Sequence, residues 1–142
     1  MQLTLHTDGG ARGNPGPAGI GVVIENSGLV VARRKAYIGE ATNNVAEYRA
    51  LILALQEALA LGGSELDVVM DSELVVRQMN GQYKIKQPAL AALAGEVLRL
   101  KNNFTRVSFR HVRREFNKEA DALVNQAIDE ALAKQGGKNT QA

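Results

Sequence analysis

The sequence has 142 residues and a mass of 15.3 kDa, which fits one domain because chains usually divide into separate cores only beyond about 250 residues. It contains no cysteine, which excludes disulfide scaffolds, thiolate zinc sites and cysteine nucleophiles, so any metal must be held by oxygen or imidazole ligands. The 17 Lys and Arg against 15 Asp and Glu leave a formal charge of only +2, which excludes a generic basic coat for a polyanion.

Membrane association and secretion are not indicated. No stretch reaches the ~20 apolar residues that a membrane helix needs, and residues 1–10 lack the basic and then apolar layout of a signal peptide. With no cysteine pairs to oxidise, we expect a cytoplasmic protein that has no membrane partner.

The first part of the chain predicts three antiparallel strands. Leu3, Leu5 and Thr7 alternate with polar residues, which is typical of a strand, and the strand is expected to end at 8–10. Two further strands are joined at 26–28, where Asn and Gly tolerate a tight hairpin turn. The three strands are predicted at 1–7, 18–25 and 29–39.

The remainder alternates helices and strands. Apolar residues at helical spacing predict helices at 43–61, 72–80, 88–102 and 117–134, and short apolar runs predict strands at 65–70 and 105–110. The pattern indicates an α/β fold of three layers: a mixed five-stranded sheet, three strands antiparallel and then two parallel, with helices on both faces. We expect one domain over residues 1–134 and a flexible tail over 135–142.

A glycine-rich segment at 8–19 interrupts the early strands. It holds five glycines and two prolines, more than a plain hairpin needs, and glycines let another backbone or a polyanion approach closely. Its spacing matches neither the nucleotide P-loop nor the dinucleotide fingerprint, and a strand follows it instead of a helix.

Four acidic residues stand at the junctions between predicted elements. Asp8 and Asp71 follow strands, whereas Glu47 and Asp121 fall in the first turns of helices. Ligands of α/β sheets gather where strand ends and helix starts converge, so these distant carboxylates are expected to meet in one crevice.

Each helix-start acid also has a purely structural interpretation. Glu47 could complete a capping box with Asn44, Asp71 could cap the helix expected at Ser72, and Asp121 could be a first-turn acid after an Asn117 cap. Asp8 fits ordinary turn chemistry less well, because it follows a regular strand and opens the glycine-rich segment. The nearby His6 is expected to be a packed residue of the sheet.

Four motifs together resemble the type 1 ribonuclease H family. The resemblance covers residues 2–132, and the motifs occur in order with the expected element between each pair. They are Thr7-Asp8-Gly9-Gly10 with Gly13-Asn14-Pro15-Gly16, then Thr42-Asn43-Asn44-Val45-Ala46-Glu47, then Asp71-Ser72, and finally His111 followed ten residues on by Asp121. The chain is similar to the form that lacks both a basic protrusion after the second helix and an N-terminal hybrid-binding domain.

The resemblance implies an endoribonuclease that hydrolyses the RNA strand of RNA–DNA hybrids. It implies two divalent cations, Mg2+ with Mn2+ as a substitute, and products that carry a 5'-phosphate and a 3'-hydroxyl. Hard oxygen ligands suit these cations. The implied metal ligands and catalytic carboxylates are Asp8, Glu47, Asp71 and Asp121.

His111 is implied to assist proton transfer or product release, for which a histidine pKa near 6.5 is suitable. A surface histidine in a basic stretch is the alternative, in which case Arg113 or Arg114 would take that role.

The resemblance also implies contacts with the hybrid, whose 2'-hydroxyls lie in a wide, shallow minor groove. Asn44 remains open to being a helix cap. Glu73 stands where many family members have a glutamine that contacts RNA, so either that contact is lost or a fifth acid lies near the metals. The implied substrate-binding positions are Gly9, Gly10, Asn14, Thr42, Asn43, Asn44 and Glu73. We expect a monomer.

Two other functions fit the same elements. A resolvase or transposase core would use the fold for different phosphoryl transfer, but the asparagines before Glu47 suit recognition of a 2'-hydroxyl. A non-catalytic nucleic-acid-binding module is expected to have lost a metal carboxylate, and all four are present.

Overall fold

A computed structural model describes the backbone of residues 1–141 and the side-chain surroundings of residues 1–135. Its elements follow the predicted order, with a short 3-10 turn before the last helix. They are β1 (Gln2–Ala11), β2 (Gly16–Asn26), β3 (Leu29–Ala41), α1 (Asn43–Ala60), β4 (Glu65–Met70), α2 (Glu73–Met79), α3 (Pro88–Lys101), β5 (Arg106–His111), the 3-10 turn (Arg114–Phe116) and α4 (Lys118–Gln141).

The five strands form one sheet in the order β3-β2-β1-β4-β5. β1 pairs antiparallel with β2 and parallel with β4, while β2–β3 is antiparallel and β4–β5 is parallel. The predicted fold class is therefore confirmed, including the switch from antiparallel to parallel pairing on the two sides of β1.

The helices cover both faces of the sheet, as expected. A Cβ atom at Gly9 would meet the backbone of Ala46 in α1, whereas one at the next residue, Gly10, would meet Val124 in α4. Successive strand residues point to opposite faces, so α1 and α4 pack on opposite sides of β1. The larger core lies on the α1 face and includes Leu3, Leu5, Val22, Leu51 and Val68.

The glycine-rich segment is not a long loop, and here the sequence prediction was wrong. β1 does not end at 8–10, because Gly9, Gly10 and Ala11 pair with β2. Only residues 12–15 connect the two strands. Glycine and proline usually mark turns, but here most of the glycines lie within two paired strands.

The helix starts also differ from the structural interpretations of the acids. Thr42, not Asn44, caps α1 by accepting a hydrogen bond from the Val45 amide, and Ser72, not Asp71, caps α2 in the same way. Neither Glu47 nor Asp71 therefore acts as a helix cap. The connection between α2 and α3 is short, as predicted.

The last helix continues past its predicted end at Lys134 and reaches Gln141. The predicted flexible tail at 135–142 lies almost entirely beyond the residues whose side-chain surroundings the structure describes. Its flexibility therefore stays a prediction. None of the helices in the described part of the chain has the length and apolar character that a membrane crossing requires.

Candidate active site

The carboxylates predicted from four separate motifs line one cavity of about 400 Å³. Ligand oxygens of Asp8, Glu47 and Asp71 all lie within 4.8 Å of one another. Asp121 lines the same cavity. The expected meeting of distant acids in one crevice is what the structure shows.

The close approach of β1 and α1 places Asp8 beside Glu47. The Gly9 amide donates a 2.6 Å hydrogen bond to Glu47 Oε1, and a Cβ at Gly9 would lie only 2.3 Å from the Ala46 carbonyl carbon. Glycine is required there because any side chain would push the helix away. Asp8 and Glu47 are 39 residues apart in the sequence, but this packing brings them side by side.

Asp71 is presented by the parallel half of the sheet. β4 pairs with β1 as far as Met70 opposite Thr7, so Asp71 emerges immediately beside Asp8, where the two parallel strands separate. Ser72 then starts α2 by accepting from the Val75 amide at 3.3 Å, which turns the chain away and leaves the Asp71 carboxylate in the cavity.

Asp121 reaches the site because the start of α4 is fixed to the middle of the sheet. The buried Asn117 donates from Nδ2 to the Thr7 carbonyl at 2.9 Å, one residue before Asp8. Gly21 lies opposite Asp8 in the β1–β2 ladder, and a Cβ there would come within 2.4 Å of the Ala120 carbonyl oxygen. The absence of a side chain at Gly21 lets the helix come close enough to deliver Asp121.

Burial and like charge strain the cluster electrostatically. Asp8 and Glu47 are only 7% and 6% exposed. Burial is the main reason that the pKa of Asp8 is raised far above its usual value, and the charges of Glu47 and Asp71 raise it further. Burial also raises the pKa of Glu47 to about 7, although its interaction with the Asp8 side chain and the hydrogen bond from the Gly9 amide oppose the rise.

The donor set fits a hard divalent cation. Three carboxylates offer oxygens within 4.8 Å of one another, and Glu47 Oε2 is buried with no hydrogen-bond partner in the described part of the chain. An orphaned buried carboxylate oxygen is costly unless a cation or donor satisfies it. Oxygen ligands of this kind are typical of Mg2+, Mn2+ and Ca2+ sites.

The predicted substrate-binding residues divide into two sets. Gly9, Gly10, Asn43 and Asn44 line the cavity. Asn14 and Thr42 do not line it: the Asn14 side chain accepts from the Asn43 amide at 3.0 Å, and Thr42 caps α1. Asn43 itself accepts from the Ala11 amide at 2.8 Å, which ties the β1–β2 turn to the start of α1.

The histidine and the fifth acid lie outside the cavity lining. His111 is exposed at the end of β5, opposite Met70 in the parallel ladder, so it neighbours the strand that carries Asp71. Glu73 pairs with Arg77 at 2.8 Å across one turn of α2. The basic residue from this region that does line the cavity is Arg114, whose Nη2 lies 3.7 Å from Asp121 Oδ1.

Sequence reasoning missed three residues that shape the site. Arg12 and Asn125 line the cavity, and Asn117 anchors α4. Arg12 carried one signal, since a charged residue stood within the glycine-rich segment. The sequence indicated Asn117 only as a possible helix cap. Its hydrogen bond to the Thr7 carbonyl spans 110 residues and could not be predicted from any local pattern.

Comparisons with known proteins agree with this fold. A family model described as reverse transcriptase-like matches residues 6–127. A bifunctional protein of Mycobacterium tuberculosis is 47% identical over 133 residues, which cover 92% of this chain and 36% of that protein. The chain therefore spans about a third of the length of the mycobacterial relatives it matches.

Two solved structures match over almost their whole length. The crystal structure of RNase H1 from the archaeon Halobacterium salinarum is 40% identical, with 92% of this chain and 99% of that chain covered and a TM-score of 0.89. A crystal structure of LC11-RNase H1 in complex with an RNA/DNA hybrid is 51% identical, with the same coverage and a TM-score of 0.88.

Proposed function

Because the chain belongs to the ribonuclease H family, we propose that it is a metal-dependent endoribonuclease that hydrolyses the RNA strand of RNA–DNA hybrids. The observation that carries the proposal is the convergence of four carboxylates from β1, α1, β4 and α4 on one cavity. A binding module with no catalytic role does not require several acids in one cavity, nor the raised pKa that burial and the charges of Glu47 and Asp71 give to Asp8.

In the proposed reaction, Asp8, Glu47, Asp71 and Asp121 hold the divalent cations. Two bound cations, Mg2+ with Mn2+ as a substitute, would supply Lewis-acid chemistry, lowering the pKa of a water and neutralising charge on the phosphate. The hydrogen bond from the Gly9 amide fixes Glu47 Oε1, so Oε2, which has no hydrogen-bond partner in the described part of the chain, would be the oxygen that coordinates a cation. The rigid strand and helix ends keep the carboxylates in place without further ordering.

The proposed products follow from the attack of water on phosphorus. A new bond forms between the water oxygen and phosphorus, and the bond from phosphorus to the 3' oxygen breaks, so the products carry a 5'-phosphate and a 3'-hydroxyl. We assign recognition of the 2'-hydroxyl that distinguishes RNA from DNA to Asn43 and Asn44, which line the cavity. We assign proton transfer or product release to His111, with Arg114 as the alternative nearer the carboxylates.

Cleavage of an end-labelled hybrid tests the proposal. A 5'-labelled RNA paired with DNA is incubated with the protein in Mg2+, in Mn2+ and in EDTA, with duplex RNA and duplex DNA as controls. We expect cutting of the hybrid RNA strand in the presence of either cation, no cutting in EDTA, and none by Asp8→Asn.

Two other outcomes would favour the competing functions. Salt-dependent hybrid binding without cutting in either cation would favour the non-catalytic module. Cutting or joining of duplex DNA would favour the resolvase or transposase core. We also propose that the protein is a monomer and that it is cytoplasmic. The absence of cysteine supports the location. Light scattering tests the oligomeric state, and cell fractionation tests the location.

A further inference from the structure

Arg12 occupies the turn between β1 and β2 and lines the carboxylate cavity. Its side chain is 41% exposed. Its Nη2 lies 2.7 Å from Asp129 Oδ1 and also contacts Asn125, 3.3 Å from Oδ1 and 3.5 Å from the carbonyl oxygen. These contacts hold one edge of the guanidinium against α4.

The remaining edge of the guanidinium is available to a ligand. Arginine has five N–H donors in a planar fork that matches phosphate oxygens, and the contacts of Arg12 with described residues all use Nη2. Its backbone is fixed as well, because the Arg12 amide donates to the Pro17 carbonyl at 2.9 Å. A Cβ at Gly16 would lie 2.0 Å from the Arg12 carbonyl oxygen, so the turn is closely packed.

The basic residues of β3 that pair with α4 lie away from the cavity. Lys35 on β3 contacts Glu130 at 2.7 Å, and Arg33 pairs with Glu119, yet neither basic residue lines the cavity. Within the described part of the chain, the cavity lining contains two basic residues, Arg12 and Arg114, among four carboxylates. A polyanion entering this acidic cavity needs cations at its edge.

We propose that Arg12 binds a backbone phosphate of the hybrid beside the scissile phosphate, through the Nε and Nη1 donors that α4 leaves open. The inference rests on the proposed function and adds a substrate-positioning residue to it. A contact of this kind fixes the register of the strand and carries no base-sequence information. Asp129 and Asn125 orient the guanidinium, so part of its ordering entropy is lost before the hybrid binds.

Four variants separate phosphate binding from a structural role. Arg12→Ala removes the guanidinium, and Arg12→Lys keeps the charge without the fork. Asp129→Ala breaks the ion pair but keeps the guanidinium. Lys35→Ala is the matched control, because it removes another basic partner of α4 outside the cavity. Each is measured for KM and kcat on a hybrid, for Kd in EDTA across a KCl series, and for thermal stability.

We expect Arg12→Ala to raise KM and Kd about tenfold, which is typical of losing one charge-assisted hydrogen bond, with kcat changed less than about twofold. The slope of log Kd against log salt should fall by about 1. Arg12→Lys should keep the wild-type slope with an intermediate KM. Asp129→Ala should keep the slope and raise KM less than Arg12→Ala does, and Lys35→Ala should keep both the slope and a KM within about twofold of wild type.

Equal increases of KM in Arg12→Ala and Asp129→Ala, with the salt slope unchanged in both, would overturn the inference and leave Arg12 as a structural link to α4. An unchanged Kd in Arg12→Ala would also overturn it. A wild-type protein that binds the hybrid but does not cut it would contradict the proposed function, and the salt series in EDTA would still decide the role of Arg12.

Discussion

The side chain of Asp8 destabilises the folded protein whenever no cation is bound. It is buried, and Glu47 and Asp71 face it with oxygens within 4.8 Å. Ionising all three in that space costs both desolvation and repulsion. A divalent cation bound by these carboxylates would offset both costs.

Asp8→Asn should therefore separate stability from activity. Asparagine is neutral without taking up a proton, so burying it at position 8 costs less than burying the aspartate, and we expect the free energy of unfolding in EDTA at pH 8 to rise by about 1–2 kcal/mol, while hybrid cleavage is lost. Urea unfolding followed by circular dichroism, beside the cleavage assay, checks both. A less stable variant would show that the Asp8 carboxylate makes favourable contacts that outweigh the repulsion.

The pH dependence of stability in EDTA has a definite sign. The folded pKa of Glu47 is raised from 4.5 to about 7, and that of Asp8 is raised as well. At a pH between the unfolded and the folded pKa of each group, the folded state keeps a proton that the unfolded state has released. Stability from these groups is present at low pH and lost as pH rises, by about 1 kcal/mol per pH unit for each proton.

Unfolding in EDTA at steps from pH 5 to pH 8 measures this slope. We expect wild-type stability to decline over that range and Asp8→Asn to decline less. A wild-type stability that rises toward pH 8 would mean that the carboxylates are stabilised as anions without a cation.

At the residue scale, the sequence revealed the acids but not the residues that position them. Asp8, Glu47 and Asp71 could be predicted because they stand at element ends within recognisable motifs. The importance of Asn117 could not, since its hydrogen bond to Thr7 joins residues far apart in the chain. Arg12 acquires a candidate role only when α4 is seen to pass beside the turn.

The contact of α4 with the sheet is the element-scale feature on which Asp121 depends. Gly19 and Gly21 of β2 face this helix, and a Cβ at either would lie within 3 Å of its backbone. The two glycines form a smooth surface on which α4 lies closer than it could on any larger side chain.

Gly21→Ala should displace the start of α4. The added Cβ would lie 2.4 Å from the Ala120 carbonyl oxygen, and overpacking of this kind costs about 1–3 kcal/mol. We expect a loss of stability in that range and a fall in kcat of roughly tenfold or more, because Asp121 moves from its position.

Gly95→Ala is the matched control. Gly95 is exposed in α3 with nothing within 4 Å of an added Cβ, so the substitution should raise stability by about 0.5–1 kcal/mol and leave cleavage unchanged. If Gly21→Ala keeps both stability and kcat, the close approach of α4 is not required for the site.

The ion pairs of β3 with the neighbouring helices involve the three basic residues at 33–35. Arg33 and Lys35 pair with Glu119 and Glu130 of α4, and Arg34 pairs with Glu57 of α1. The run 33–35 is thus neutralised by neighbouring helices. Charge patterning shows which residues are basic, but the acids that pair with them come from elements far along the chain.

Element boundaries were harder to predict than element types. The strand alternation and helical spacing identified each main element, because burial against the sheet imposes those periods. The glycines at 9, 10, 16 and 19 led to a wrong prediction for the first hairpin, because glycines are usually a sign of a turn or loop. Gly9, Gly16 and Gly19 pack closely against α1, the turn and α4, where an added Cβ would meet backbone atoms within 3 Å, and a single sequence does not separate that cause from a turn.

For the whole molecule, cation binding and folding are one linked equilibrium. A ligand that binds only the folded state stabilises it by about 2.7 kcal/mol at a concentration one hundred times its Kd. We expect Mg2+ titration to raise the melting temperature of the wild-type protein and to abolish most of its decline toward pH 8. Differential scanning calorimetry in Mg2+ and in EDTA checks this.

Asp8→Asn serves as the control, since it should lose most of the Mg2+-dependent gain. An equal gain in the variant would mean that the ion acts through screening of surface charge instead of binding at the carboxylates. The topology that makes the linkage possible could be predicted from sequence, because three meandering strands followed by alternating helices and strands allow few arrangements.

The pair of glycines at 9 and 10 sets a limit on how this enzyme could be redesigned. Position 9 is closed to every other amino acid, since its missing side chain is the space that the Ala46 backbone occupies. Position 10 lines the same cavity. The nearest atom to a Cβ added there is Val124 Cγ1, at 3.7 Å. A mutant library aimed at altered substrate preference would thus do well to keep codon 9 constant and to randomise codon 10.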